Sequence, residues 1–167
     1  MNIDIIAELY TDCSYKPLCN RMKHASCLVI NDKESFISDI IKEPRANFFK
    51  DATINWGELY SIKVALDTIR TQLKNNEIGI NQINIYNDND NVVHRLNNFL
   101  LKPRYFRGKK TPYKTLIKNT INKIKEFETL GITVNIMWIG ESMDIPILTQ
   151  VDRLTRTKQK ITKFSNI

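Results

Sequence analysis

Ile3-Asp-Ile-Ile-Ala-Glu-Leu-Tyr-Thr-Asp12 is the stretch on which the fold turns. Ile3, Ile5, Ala7 and Leu9 alternate with less apolar positions. That is the period of two expected of a strand with one buried face, so residues 3–11 read as a strand running out onto an acid, Asp12. A polar turn with Pro17 and Asn20 follows, then a short buried strand over Ala25–Ile30, a turn at Asn31-Asp-Lys33, and a third strand from Glu34 to Lys42. Two hairpin connections in succession make these three strands antiparallel.

Beyond them the period changes. Leu59, Ile62, Leu66, Ile69 and Leu73 recur at steps of three and four, predicting a helix capped by Thr53 or Asn55 and running to about Leu73. Asn81–Tyr86 reads as a fourth strand, and Asn89 or Asp88 can cap a short helix through Leu100. Tyr113–Leu130 reads as a long helix ended by Gly131, Ile132–Ile139 as a fifth strand, and roughly Leu148–Lys160 as a last helix after a loop over 140–147. The order βββ-α-β-α-α-β-α describes an α/β fold with a mixed five-stranded sheet: three antiparallel strands, then parallel additions through helical crossovers. The whole chain, 1–167, is expected to form one domain.

Four acids stand at the edges of these apolar segments: Asp12, Glu58, Asp88 and Asp152. Asp12 and Asp88 follow strand-like runs, where sites gather in α/β sheets, and Glu58 lies on the inward side of the first turn of its helix. The ordinary reading of Glu58 is an acid favoured by the helix dipole. Four convergent carboxylates, however, repel one another and call for a divalent cation, and paired hard cations on carboxylates are apparatus for cutting phosphodiesters.

The charge distribution points the same way. The formal charge is +7, and from Asn91 to Lys125 there are ten Lys or Arg residues and no Asp or Glu. Lys102, Arg104, Arg107, Lys109, Lys110 and Lys114 are interleaved there with Tyr105, Phe106 and Tyr113, a pattern suited to phosphate contact and stacking. Residues about 100–125 thus form a candidate basic handle, and residues 153–167 form a basic tail with Arg153, Arg156, Lys158, Lys160 and Lys163. A basic run is otherwise a solvated face. The N-terminal segment lacks the basic start of a signal peptide, and no apolar run approaches the ~20 residues of a membrane span. The chain is therefore expected to be soluble, cytoplasmic and monomeric, in a bacterium or, if phage or viral, in a host cell; its Asn, Ile and Lys richness suits an AT-rich genome. Cys13, Cys19 and Cys27, with irregular spacing, read as reduced thiols rather than zinc ligands.

Tyr10-Thr-Asp-Cys-Ser14, helix-borne Glu58, Tyr86-Asn-Asp88 and the interval from Trp138 to Asp152 together resemble type 1 ribonuclease H, whose pattern is Y-T-D-G-S, then M-E, then Y-T-D-S, then W-V-x-G-H ending in a C-D-E-L helix. The resemblance spans nearly the whole chain, places Pro146 where the family has a loop proline, and matches the basic segment to the family's substrate-gripping handle. It implies that Asp12, Glu58, Asp88 and Asp152 hold two Mg²⁺ ions, with Mn²⁺ as a substitute and Asp12 as the bridge. It implies cleavage of the RNA strand of an RNA–DNA hybrid to 5′-phosphate and 3′-hydroxyl ends, with Asn55 against the minor groove.

The departures are specific. The family's loop His is replaced by Ser142, leaving Glu141 or Asp144 as its possible stand-ins, while His24 and His94 read as structural or exposed. Cys13 replaces a Gly, Ala25-Ser-Cys27 replaces a glycine-rich strand, and Asp90 stands where a Gln is common and rivals Asp88 as a ligand. Two further classes keep the same fold: a nuclease for branched or single-stranded DNA, and a non-catalytic nucleic-acid-binding module. Convergent acids argue against the module, because they would repel its phosphates.

Overall fold

The computed structural model describes residues 3–16, 18, 21–42, 50–102, 111–140 and 145–165, without the side chains of 50–53. The elements run β1 (Ile6–Lys16), β2 (Arg21–Ile30), β3 (Lys33–Ile40), α1 (Lys50–Lys74), β4 (Gln82–Asn87), α2 (Asp90–Leu101), α3 (Pro112–Thr129), β5 (Thr133–Trp138) and α4 (Pro146–Thr155). The sheet order is β3-β2-β1-β4-β5. Strands β1 to β3 pair antiparallel, and β4 joins β1, and β5 joins β4, in parallel, as the sequence pattern requires. The β2–β3 link is a two-residue turn whose Asn31 and Asp32 both have positive φ (49° and 61°), the conformation that matches strand twist in a tight hairpin.

Alternation on β1 sorts the sheet's two faces. Ala7, Leu9 and Cys13 belong to the main core with Leu59, Ile62, Leu66 and Ile69 of α1, whose apolar stripe faces inward as its spacing predicts. On the other face, Val151 of α4 packs with Ala25 and Cys27 of β2 and with Tyr10. Cys13 and Cys27 therefore lie on opposite faces, neither in a disulfide, and cannot share a metal; burial pushes the Cys27 thiol up to about 12. Cys19 lies outside the described residues.

Element ends depart from expectation. Strand β1 begins at Ile6 and continues to Lys16, because polar residues 12–16 pair with β2 as far as Lys16↔Arg21. Helix α1 already includes Lys50, so Asn55 is an interior residue and not a cap, and neither is Thr53. Helix α4 starts at Pro146, whose fixed φ suits the first turn, and stops at Thr155. There the hydroxyls of Thr155 and Thr157 bond back to the carbonyls of Asp152 (2.6 Å) and Leu154 (3.1 Å).

The chain after α4 is tied down at two points, Ile161 and Phe164, while residues 156–160, 162, 163 and 165 stay exposed. Ile161 bridges Ser38 on the outer edge of β3 with bonds of 2.8 and 2.9 Å, and Phe164 is buried in the main core. Gln72 of α1 clasps the Phe164 backbone, donating to its carbonyl at 2.7 Å and accepting its N–H at 3.1 Å. This covers an edge strand that would otherwise offer unpaired backbone groups. Among the described residues no helix is long and apolar enough to cross a membrane.

Candidate metal and nucleic-acid site

Parallel pairing of β1 with β4 ends at Tyr10↔Tyr86, whose rings stack with centroids 4.9 Å apart. Two residues beyond that pair, on the same face, come Asp12 and Asp88. Asp88 follows the last residue of β4, as expected; Asp12 lies inside β1, but at the point where β4 has already parted from it. Glu58 reaches the same spot from α1. Ligand oxygens of Asp12, Glu58 and Asp88 all lie within 4.8 Å of one another.

Their environments differ in depth. Glu58 is 5% exposed, Asp12 half-buried and Asp88 exposed. Burial raises the Asp12 carboxyl to about 7, helped by the Asp88 charge and, more weakly, that of Asp152. Glu58 is pushed well above its ordinary value by burial and then by Asp12. Without a cation, burial and the mutual repulsion of the carboxylates both favour the protonated forms of Asp12 and Glu58. An all-oxygen donor set this close suits a hard divalent ion such as Mg²⁺, Mn²⁺ or Ca²⁺.

Backbone and amide donors orient the acids. Cys13 N–H donates to Asp12 Oδ1 at 2.8 Å. Asn87, fully buried in the gap between β1 and β4, places its Nδ2 2.9 Å from Thr11 Oγ1 and 3.0 Å from Glu58 Oε2, while its Oδ1 accepts from Asn89 N–H at 2.9 Å. Trp138 Nε1 donates to the Asp88 carbonyl at 3.1 Å. Asn87 was not singled out from the sequence; the signal available was a polar amide at a buried strand position inside Ile-Asn-Ile-Tyr-Asn-Asp88.

Asp152 sits half-buried on α4, outside the tight trio but close enough for its charge to act on Asp12, and its Oδ1 lies 3.3 Å from Arg156. Asp90 is excluded from the trio: it occupies the first turn of α2, where an acid favours the helix dipole, behind the N-cap Asn89. His24 is buried and His94 exposed, and neither belongs to the cluster. Glu141, Ser142 and Asp144 lie outside the described residues.

Of the interface residues, Asn55 accepts a 2.8 Å bond from Asn89 Nδ2, which ties it to the start of α2 beside Asp88. Lys102 is the exposed C-cap of α2, and Lys114 sits in the first turn of α3, its N–H capped by Thr111 at 3.2 Å. Arg104, Tyr105, Phe106, Arg107, Lys109 and Lys110 lie outside the described residues. Tyr113 is not a free stacking platform: it packs on the core beneath Arg95, whose guanidinium is 5.5 Å from the ring centroid. Lys123 is likewise engaged, with Asp67 and Glu126. Between α1 and α3 runs an open groove of about 520 Å³ whose walls include Trp56, Tyr60, Lys63 and Asn119.

No protein-family model matches the sequence, and no curated protein matches it. Solved structures do. LC9-RNase H1, a type 1 RNase H with the type 2 active-site motif, superposes over 99% of this chain and 79% of its own at a TM-score of 0.72 with 11% identity. LC11-RNase H1, solved in complex with RNA/DNA hybrid, covers 89% of this chain and 92% of its own at 0.60 and 13%. The N-terminal RNase H domain of Rv2228c from Mycobacterium tuberculosis covers 92% of each chain at 0.59 and 16%. The fold defined by this sheet and its helices is therefore the ribonuclease H fold. More particularly it is the fold of the type 1 enzymes, to which the sequence motifs already bore a resemblance.

Proposed function

We propose that this chain is a divalent-metal-dependent endonuclease that hydrolyses the RNA strand of RNA–DNA hybrids. The observation that carries the reading is the convergence of Asp12, Glu58 and Asp88 within 4.8 Å, with Asp152 acting on Asp12 from the opposite helix. Two Mg²⁺ ions, or Mn²⁺ in their place, would be held by Asp12, Glu58, Asp88 and Asp152. When bound, such ions supply Lewis acidity and a water of lowered pKa.

The chain's own residues have separable tasks. Asn87 holds the Glu58 carboxylate in place, and Cys13 N–H fixes the Asp12 carboxylate, so less side-chain freedom is lost when an ion binds. Exposed Asp88 stands at the mouth, where a scissile phosphate would approach. Asn55, Lys102 and Lys114 would receive the duplex, together with Arg104, Arg107, Lys109 and Lys110. The groove between α1 and α3 has room for the second strand's backbone. Action as a monomer in the cytoplasm belongs to the same proposal.

The deciding assay offers matched labelled substrates with Mg²⁺: RNA–DNA hybrid, double-stranded RNA, double-stranded DNA, branched DNA and single-stranded DNA. The expected result is cleavage of the hybrid's RNA strand alone, abolished by Asp12→Asn and by Asp88→Asn. Cleavage confined to branched or single-stranded DNA assigns the fold to a different nuclease, and binding without cleavage in Mg²⁺ or Mn²⁺ assigns it to a binding module.

A further inference from the structure

We propose that Asn89 is a positioning residue for substrate reading: it turns the Asn55 amide so that Nδ2 faces the duplex, which makes Asn55 a reader of hydrogen-bond acceptors on base edges in the minor groove. This deepens the hybrid-nuclease reading above and rests on it. Backbone groups fix the polarity, because their roles as donors are unambiguous. Val92 N–H can only donate, and it lies 3.1 Å from Asn89 Oδ1, the side-chain cap of α2. Asn89 therefore offers Nδ2 at the other corner of its amide, and that nitrogen donates to Asn55 at 2.8 Å. A donor there demands Oδ1 of Asn55, so the second corner of the Asn55 amide, Nδ2, is turned away from Asn89.

The same logic reaches the clustered acids. Asn89 N–H donates to Asn87 Oδ1 at 2.9 Å, which leaves Asn87 Nδ2 for Glu58 Oε2 at 3.0 Å. Asn55, Asn89, Asn87 and Glu58 thus form one hydrogen-bonded chain in which each amide's direction is set by a neighbour. Asn55 and Glu58 are three residues apart on α1, hence neighbours on one helix face with about 5–6 Å between Cβ atoms. Asn55 is half-buried, and among the described residues its Nδ2 makes no bond and is not a buried orphan. A fixed donor therefore opens to solvent beside the acids.

Position and polarity select the ligand. A scissile phosphate on Asp12 and Asp88 brings a base pair within about two steps of it, at ~3.4 Å per step, to Asn55. In the minor groove N3 and O2 accept in every base pair, and the guanine 2-amino group is the one donor. A fixed donor thus meets an acceptor whatever the sequence and is opposed only by guanine. A 2′-hydroxyl both donates and accepts, so either corner of an amide would serve it. An amide held in one orientation matters only to groups that accept alone, which are the base edges.

The experiment measures hybrid binding in Ca²⁺ and hydrolysis in Mg²⁺ for wild type, Asn89→Asp, Asn89→Ser and Asn55→Ala/Asn89→Asp. Along either strand one purine at a time is replaced by its 3-deaza analogue, which carries C–H for N3, or one guanine by hypoxanthine, which lacks the 2-amino group. In wild type one 3-deaza position should weaken binding about three- to tenfold, the worth of one hydrogen bond, while hypoxanthine does not weaken it. Asn89→Asp keeps the cap but can only accept, so the Asn55 amide turns over: the 3-deaza penalty vanishes and hypoxanthine now costs about threefold. Asp caps as well as Asn, so its Tm should hold. The double variant carries the same charge without the amide and should show neither effect, which separates amide direction from added charge. Asn89→Ser caps but is too short to hold Asn55, so it should lose the 3-deaza penalty with KM raised and kcat within about twofold. A purely structural role would leave the analogue pattern intact. Wild type blind to every 3-deaza position, or the wild-type pattern in Asn89→Asp and Asn89→Ser, overturns the inference, and does so alone where the hybrid is still cleaved. Hybrid bound with the expected pattern but never cleaved removes the nuclease reading alone. Failure to bind the hybrid at all overturns both.

Discussion

Asn87 Nδ2 donates to Glu58 Oε2 at 3.0 Å, joining the end of a central strand to a carboxylate on the helix packed across it. The same amide reaches Thr11, so one buried side chain closes the gap where β1 and β4 diverge and also fixes one of the three clustered acids.

Asn87→Ala should therefore damage stability and function together. Glu58 and Thr11 would lose their donor in a buried setting, at a cost of roughly 1–3 kcal/mol. Thermal melts and hybrid hydrolysis check this, and Asn87→Thr, which restores a hydroxyl at the position where the type 1 pattern has Thr, is expected to recover part of both.

Metal-free stability should fall as pH rises through the window set by Asp12. Its folded value is raised to about 7 from an ordinary 3.8, so between those values the folded state binds more protons than the unfolded state. The sign is negative: the Asp12 contribution is complete below pH 4 and is lost as pH rises through about 7. Asp12→Asn should raise the Tm of metal-free protein at pH 8 by roughly 5 °C, with no gain at pH 4. Added Mg²⁺, Mn²⁺ or Ca²⁺ should raise the wild-type Tm at pH 8 and leave the variant nearly unmoved. Equal responses of the two proteins would mean that Asp12 holds no ion.

His24 contributes the opposite slope. It is 4% exposed, set edge-on to Tyr60 at 6.3 Å, and burial lowers it to about 4 from 6.5. The unfolded state binds more protons between those values, so this contribution is complete above pH 6.5 and is lost as pH falls towards 4. Comparing denaturant midpoints of His24→Leu and wild type at pH 4.5 and 7.5 isolates it, and the variant should lose less stability on acidification.

Gly57 precedes Glu58 at a position with no spare room. A Cβ there would meet Met22 Sδ at 2.5 Å and Cys13 Sγ at 2.6 Å. Gly57→Ala gains about 1 kcal/mol of helix propensity but overpacks the core at a cost of about 1–3 kcal/mol. The net expectation is a lower Tm and weaker metal binding, because the displaced Cys13 carries the N–H that orients Asp12. Met22→Val shortens the thioether, so the double variant should be more stable than the sum of the singles.

Much of this molecule is written locally. Alternation along Ala7–Leu9, the α1 stripe and the Asn31-Asp32 turn each follow from short-range sterics and the burial of one face, so the order of elements along the chain and the pairing sense of the strands were legible. The acids were legible too, because carboxylates at the ends of apolar runs conflict with their surroundings and advertise a purpose. Element ends were less so. The β1–β2 ladder extends over polar residues because a partner strand was available, and α4 stops early where the Thr155 and Thr157 hydroxyls take the carbonyls of Asp152 and Leu154.

Sequence alone determined which residues could bear charge and which faces must be buried, since hydrophobic period and side-chain chemistry are properties of neighbours in the chain. Only the tertiary structure brought Asp88 and not Asp90 within reach of Asp12 and Glu58, drew Asn87 to Glu58, kept Asp152 beside the trio but outside it, and set Lys16 against Arg21. Those relations depend on register and on the point where two strands part. Register is set by the summed packing of whole elements, and no single segment carries it.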